Sequence, residues 1–403
     1  MTAMANETPL FWWKKRGLTS LLLSPAARIY GHFATRVMER ARPPQIEAPV
    51  LCIGNFTLGG AGKTPLAVAF AKAAKKRGLK PGIVSRGYGG TVSLQRDHVY
   101  RVDPARDRAR DVGDEPLLLA EYAPVAVAVN RLAAAEQLLR EGVNFIIMDD
   151  GFQSRRLYSD YVLIAVDSAR GLGNGKIFPA GPLRAPLPVQ LAYSDMIVLL
   201  GNHVDSDAAG QAVLRLAAKA GKPVCRAILR LQISRPYEGA GSVTAALPAG
   251  PAKNAALHEQ NQAAGLEVAE PDNQPDTDSS IMPITSLRAI KGRRFLAFAG
   301  IGNPQKFFAS VEAAGGLIAQ KRSFADHHFF SLYDIDDIVQ SARIYGLVMV
   351  TTAKDYMRLK TEGLDKKLGP LLVLDIYPEF LPEDFCNHIL DLCLRHYKDR
   401  RFS

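Results

Sequence analysis

The run Thr57-Leu58-Gly59-Gly60-Ala61-Gly62-Lys63-Thr64 has the residue types that hold the phosphates of a nucleotide. Glycines let successive backbone N–H groups turn inward around phosphate oxygens at the start of a helix, with no Cβ in the way. Lys63 is spaced to reach the β- and γ-phosphates, and the Thr64 hydroxyl to ligate Mg²⁺. The common pattern begins with glycine, where this chain has Thr57. The spacing therefore implies binding of ATP with Mg²⁺, and a P-loop kinase is the leading expectation.

A hydrophobic strand ending in acid is the usual companion of such a loop, and Phe145-Ile146-Ile147-Met148-Asp149-Asp150 supplies one. Asp149 and Asp150 either hold Mg²⁺, directly or through water, or belong to an ordinary Asp-Asp-Gly turn. Ser85-Arg86-Gly87-Tyr88-Gly89-Gly90 either brings a guanidinium to a phosphate or is a glycine-rich turn. In Gly113-Asp114-Glu115-Pro116 two acids open a helix, which suits capping as well as chemistry. Asp326-His327-His328 sets histidine beside acid, a structural or a catalytic pair, and either histidine fits. Gly171, Gly173 and Gly175 are not a dinucleotide loop, because prolines crowd the following residues where a crossover helix would start.

These residues need a scaffold, and the hydrophobic rhythm predicts one. From Val50 onward, Val/Ile-rich runs alternate with helical patterns, as in a doubly wound parallel sheet. The expected fold is α/β: a P-loop NTPase-like, mainly parallel sheet with a second, smaller α/β lobe and an N-terminal amphipathic helix. The expected divisions are an N-terminal segment at 1–45, a kinase core at 46–236, a low-complexity insertion at 237–287 rich in Ala, Gly, Pro, Asn and Gln, and a C-terminal lobe at 288–403.

Four scattered cysteines, Cys52, Cys225, Cys386 and Cys393, argue against a disulfide framework and for a reducing compartment. The net charge of +10 suits anionic partners, yet no aromatic-interleaved basic module for nucleic acid is present. Residues 1–42 hold seven basic groups against Glu7 and Glu39. There Phe11-Trp12-Trp13 precedes Lys14-Lys15-Arg16, and a helix starting at Ser24-Pro25 lines up Ala26, Ile29, Tyr30, Phe33 and Val37. The order fits neither a secretory signal nor a membrane-spanning helix. It fits an interfacial membrane helix, and equally a helix packed on its own domain.

Taken together, the chain resembles the tetraacyldisaccharide 4′-kinase family, enzymes of the lipid A pathway. The resemblance rests on IGNFTLGGAGKTP from Ile53, SRGYGG from Ser85, GDEP from Gly113, DDGFQ from Asp149, PAGPLR from Pro179, Ala325-Asp326-His327 and TTAKD from Thr351. Thr57 in the first loop position is a habit of that family. The resemblance implies transfer of the γ-phosphate of ATP to the 4′-hydroxyl of a tetraacylated glucosamine disaccharide 1-phosphate. It implies that Asp114 is the base, with His327 orienting it, that Lys63 is catalytic, and that Thr64, Asp149 and Asp150 hold Mg²⁺. Arg86, Glu115, Arg131 and Gln153 match family positions near nucleotide or sugar phosphates. It further implies a peripheral enzyme at the cytoplasmic face of the bacterial inner membrane, seated through its N-terminal helix, with no obligate protein partner. The rival reading is an ATPase switch of the partitioning or metal-delivery type, whose loops usually carry a lysine where this chain has Leu58.

Overall fold

The computed structural model describes residues 9–14, 17–94, 98–201, 207–238 and 283–402. Most of the expected insertion at 237–287 therefore lies outside the described residues, as do Lys15 and Arg16. The chain forms two compact units, Met1–Arg230 with Ala325–Phe329 and Ile376–Ser403, and Leu231–Phe324 with Phe330–Asp375.

In the first unit, α1 (Leu18–Leu22) and α2 (Ser24–Arg40) precede β1 (Val50–Asn55), α3 (Lys63–Lys76), β2 (Pro81–Ser85) and β3 (Tyr100–Arg101). Next come α4 (Ala109–Val112), α5 (Asp114–Ala120), β4 (Val125–Val127), α6 (Arg131–Arg140) and β5 (Phe145–Asp149). Then follow β6 (Tyr161–Asp167), α7 (Leu187–Ala192), β7 (Met196–Gly201), α8 (Ala208–Lys219) and β8 (Val224–Arg235), the last crossing the division. The strand order is β8-β7-β6-β1-β5-β2-β4-β3. β3 pairs antiparallel with β4, whereas β8 with β7, β7 with β6, β6 with β1, β1 with β5, β5 with β2 and β2 with β4 pair parallel. Every residue of β1, β2, β4 and β5 is buried, which is why those strands read as unbroken apolar runs.

β1 lies between β5 and β6, with Ile53 level with Asp149 on one side and Leu163 on the other. The winding reverses beside β1, so the carboxyl ends of β1, β5, β2 and β4 open onto a single crevice. The buried face of α3 is built from Leu66, Ala67, Phe70 and Ala74. Phe70 packs edge-on against Phe385, with ring centroids 6.1 Å apart, at a gain of about 2 kcal/mol for a ring of this size.

The second unit contains β9 (Arg294–Ala299), α9 (Pro304–Ala313), β10 (Leu317–Ser323), α10 (Leu332–Ile344) and β11 (Val348–Thr352). It continues through α11 (Ala353–Thr361), α12 (Asp365–Leu368) and the start of β12 (Leu372–Leu381). Its strands are parallel in the order β10-β9-β11-β12 over a core of Phe295, Phe308, Val311, Val350 and Leu372. Buried Asp355 accepts from the Gly300 amide at 3.0 Å and from Arg358 at 2.7 Å, so its charge is paired where desolvation would otherwise be costly.

The expected lobe at 288–403 is not one body. Its final helix, α13 (Phe385–Phe402), belongs to the first unit, where Arg400 pairs with buried Asp160 at 3.0 Å. Ala325–Phe329 also belongs there, while Phe324 and Phe330 on either side stay in the second unit with rings 5.1 Å apart. Strand β8 alternates buried and exposed residues and is not an apolar run.

The N-terminal residues do two jobs. Trp12 is buried, its indole Nε1 donating to the Pro179 carbonyl at 3.0 Å, so it packs inside the first unit and is no surface anchor. In α2 the buried positions are Ala27, Gly31 and Met38, at helical spacing. A Cβ on Gly31 would lie 2.9 Å from Ile177, so glycine is what lets the helix sit this close. The opposite face leaves Ile29, Phe33 and Val37 at 63%, 60% and 55% exposure.

Candidate functional site

The phosphate loop starts where β1 ends. Asn55, buried at the strand terminus, donates through Nδ2 to the carbonyls of Thr57 at 2.5 Å and Gly59 at 3.3 Å, tying the loop to the sheet. Thr57 forms an antiparallel bridge with Leu183, and it is not among the non-glycine residues with positive φ. An extended position has no need of glycine, which explains how a threonine is tolerated there. Gly62, by contrast, enters α3 at φ 85, a left-handed conformation that favours glycine. A Cβ on Gly60 would meet nothing within 4 Å, so the loop presents open space at that point.

Asp150 follows β5 in a left-handed turn, φ 55. Arg184 grips its carboxylate with two N–H groups, at 2.8 and 3.2 Å, and donates through Nε to the Thr57 carbonyl at 3.1 Å. Lys63 Nζ lies 3.9 Å from the same carboxylate. Burial pushes the Asp150 carboxyl up, but Lys63, Arg184 and Arg131 outweigh it and hold the group at about 2. Arg131, buried at the start of α6, is brought down to about 10 by burial, against the pull of Asp150, and still carries its charge at neutral pH. It donates to the Ala128 carbonyl, while its Nε is buried with no hydrogen-bond partner among the described residues. A buried donor of that kind accommodates an anionic oxygen.

Thr64 and Glu115 meet, the hydroxyl donating to Oε1 at 3.3 Å. Asp149 is buried at the end of β5. Thr64, Glu115, Asp149 and Asp150 are all oxygen donors, which suits Mg²⁺, an ion that keeps waters and shares phosphate oxygens. Among the described residues no three His, Cys, Asp or Glu side chains form a metal cluster.

Asp114, 3% exposed, opens α5 without capping it. Its Oδ1 accepts from the Glu115 amide at 3.1 Å and lies 3.1 Å from His327 Nδ1. With Asp114 ionised, Nδ1 is the donor, because a carboxylate has no proton to give. His327, not His328, makes this contact, with its backbone at φ 59 and its ring 6.0 Å from that of Tyr88. The turn after β2 explains the placement. A Cβ on Gly90 would fall 2.5 Å from the Asp111 carbonyl and 2.7 Å from the Gly113 nitrogen, so only glycine lets this turn lie against the peptide leading into Asp114.

Among the other expected site residues, Arg86 is exposed just beyond β2. Gln153 spends its amide on the Asn55 carbonyl at 2.6 Å and Gln190 at 3.0 Å, and so braces the end of β1. Arg184 and Asn55 were not anticipated as site residues. Arg184 sits in the PAGPLR run, whose only sequence signal was the resemblance itself, and Asn55 is a lone polar residue closing an apolar strand.

A family model described as tetraacyldisaccharide-1-P 4′-kinase matches residues 19–394 of the chain. The tetraacyldisaccharide 4′-kinase of Brucella suis is 45% identical over 399 residues, covering 98% of this chain and 99% of that protein. That of Brucella ovis is also 45% identical over 399 residues, with the same coverage. Among solved structures, LpxK from Aquifex aeolicus in complex with ATP is similar with a TM-score of 0.63, at 20% identity, over 94% of this chain and 100% of that one.

Proposed function

The chain belongs to the tetraacyldisaccharide 4′-kinase family, and from that premise we propose how its own residues carry out the transfer. It is an ATP-dependent kinase of lipid A synthesis, phosphorylating the 4′-hydroxyl of a tetraacylated glucosamine disaccharide 1-phosphate. The ATPase-switch alternative falls away with the family assignment.

Phosphoryl transfer asks for positioning and for charge stabilisation more than for covalent chemistry. The open loop at Gly60, with Lys63 beside it, receives the triphosphate. Thr64, Asp149 and Asp150 would hold Mg²⁺, which would supply positive charge at the phosphate oxygens, and Glu115 accepts from the Thr64 hydroxyl beside them. Asp114 takes the proton of the attacking hydroxyl, and His327, bonded through Nδ1, orients that carboxylate and stabilises its charge. Lys63, Arg131 and Arg184 supply fixed positive charge for the migrating phosphoryl group. The observation that carries this reading is the 3.1 Å pairing of Asp114 and His327.

The exposed face of α1 and α2 supports seating on a bilayer. Leu18, Leu21, Leu22, Ile29, Phe33 and Val37 are all exposed, with Arg28 and Arg36 exposed on the same helix as the last three. No described helix is long and apolar enough to cross a membrane. Burying a side chain of this kind contributes about 2 kcal/mol, and each arginine near an anionic surface about 1 kcal/mol, so the apolar face dominates and salt weakens docking only partly. A four-chain lipid substrate stays in the membrane, and a helix lying there brings the kinase to it, at the cytoplasmic face where ATP is available.

The deciding experiment supplies γ-labelled ATP together with the tetraacylated disaccharide 1-phosphate, whose 4′-hydroxyl is free, and a soluble disaccharide as control. Label must pass to the lipid; ATP hydrolysis without labelled lipid would remove the acceptor assigned here.

A further inference from the structure

Beyond the catalytic crevice, a second group of positive charge gathers where α2 ends. A hollow of about 570 Å³ is lined by Glu39, Arg40, Ala41, Arg42, Arg155 and Tyr193. Three arginines therefore face one acid. Arg40 and Arg42 are exposed and make no ion pair or hydrogen bond with any described residue. Arg155 is built in more firmly. Its backbone takes φ 44, left-handed space that a non-glycine residue holds only when its surroundings keep it there. One of its N–H groups donates to the Met38 carbonyl at 2.6 Å, and its guanidinium lies 3.9 Å over the Tyr193 ring. A planar fork fixed in this way, with further N–H groups to spare, is pre-organised for a phosphate.

The mechanism above uses none of these residues. Arg40 closes the helix whose exposed stripe runs through Ile29, Phe33 and Val37, so the hollow lies at the C-terminal end of the helix that carries the apolar face. We infer that it is a seat for the phosphate of an anionic lipid headgroup, held by Arg40, Arg42 and Arg155. This rests on the reading of α2 as a bilayer-seated helix. It adds that docking is site-specific at one end and not only a matter of diffuse charge. The phosphate comes from a bulk membrane lipid, since the adjoining apolar stripe lies where acyl chains would be.

The full-length protein is tested on phosphatidylcholine vesicles with and without phosphatidylglycerol. Arg40→Gln/Arg42→Gln removes two pocket charges from exposed positions, which spares folding, and Arg28→Gln/Arg36→Gln removes two from the same helix away from the pocket. The pocket pair should weaken binding to the anionic vesicles about tenfold more than the control pair. Equal losses would reduce the effect to diffuse attraction and overturn the site. Calorimetry with inorganic phosphate alone, at fixed ionic strength, should show no pocket-dependent binding; if it does, the ligand is a soluble anion. In nonionic detergent without anionic lipid, KM for the disaccharide should be unchanged in the pocket variant, and a rise there would give the pocket to the substrate's own phosphate. Ile29→Asn/Phe33→Asn should release the protein from both kinds of vesicle. Unchanged binding in that variant would bring down the helix reading, and with it the lipid source assigned here, even where the two arginine pairs differ.

Discussion

Arg184 closes on Asp150 with two parallel hydrogen bonds, 2.8 and 3.2 Å long, while its Nε reaches the Thr57 carbonyl. One side chain thereby ties the acidic end of β5 to the phosphate loop that follows β1. Lysine keeps the charge but has no fork. Arg184→Lys should lower kcat/KM by about 10²-fold, the scale of losing one pre-organised electrostatic contact. Steady-state kinetics with the lipid acceptor decide it, and activity within twofold of wild type would make the fork dispensable.

The pairing of Asp114 with His327 at the start of α5 allows the proposed base and the proposed orienter to be told apart. Asp114→Ala should abolish turnover while ATP still binds, as read by nucleotide titration. His327→Ala should retain more activity, falling about 10- to 100-fold, because the carboxylate survives without its donor. The kcat of His328→Ala should match wild type. A larger loss at His328 than at His327 would reassign the partner.

Two glycines should fail in opposite ways. At Gly60 a methyl group meets nothing in the protein, so Gly60→Ala should keep its melting temperature yet bind ATP more weakly, since the methyl occupies the phosphate space. At Gly90 it strikes the backbone of Asp111, Val112 and Gly113. Gly90→Ala should therefore lose about 1–3 kcal/mol of stability and displace Asp114, lowering kcat with little change in ATP affinity. Calorimetric melting and nucleotide titration on both variants separate the cases. The prediction fails if Gly90→Ala melts like wild type.

Acid should expose the linkage at Asp150. Its folded value of about 2 lies below the ordinary 3.8, so the group contributes stability at neutral pH that is lost as pH falls through 2. Asp150→Asn should be less stable than wild type at pH 7, and the gap should narrow between about pH 4 and pH 2 in urea melts. A gap constant down to pH 2 would assign the effect to another group.

Much of this was legible in the residues. The loop glycines, the strand ending in Asp149 and the helix starting at Asp114 are local patterns, and each lies where its pattern put it. What escaped was non-local. Arg184 approaches Asp150 across 34 positions, and no periodicity announces such a contact. Trp12 looks like a surface aromatic beside lysines until Pro179 is seen to accept its N–H. Strand β8 was hidden because its burial alternates, with exposed Arg226 between buried Cys225 and Ala227 and exposed Arg230 after buried Leu229, unlike the apolar runs of β1 or β5. The choice between His327 and His328 depends on which ring the turn at Ala325–Phe329 presents, and composition cannot report that.

That five-residue excursion also bears on where the chain can be cut. The histidine paired with the proposed base is encoded inside the stretch that otherwise builds the second unit, and α13 is encoded after it. A gene broken at residue 230 would yield the first unit's sheet without the histidine that meets Asp114 and without its final helix. The first unit is thus discontinuous in sequence, and cutting the chain at that point removes parts of its own fold.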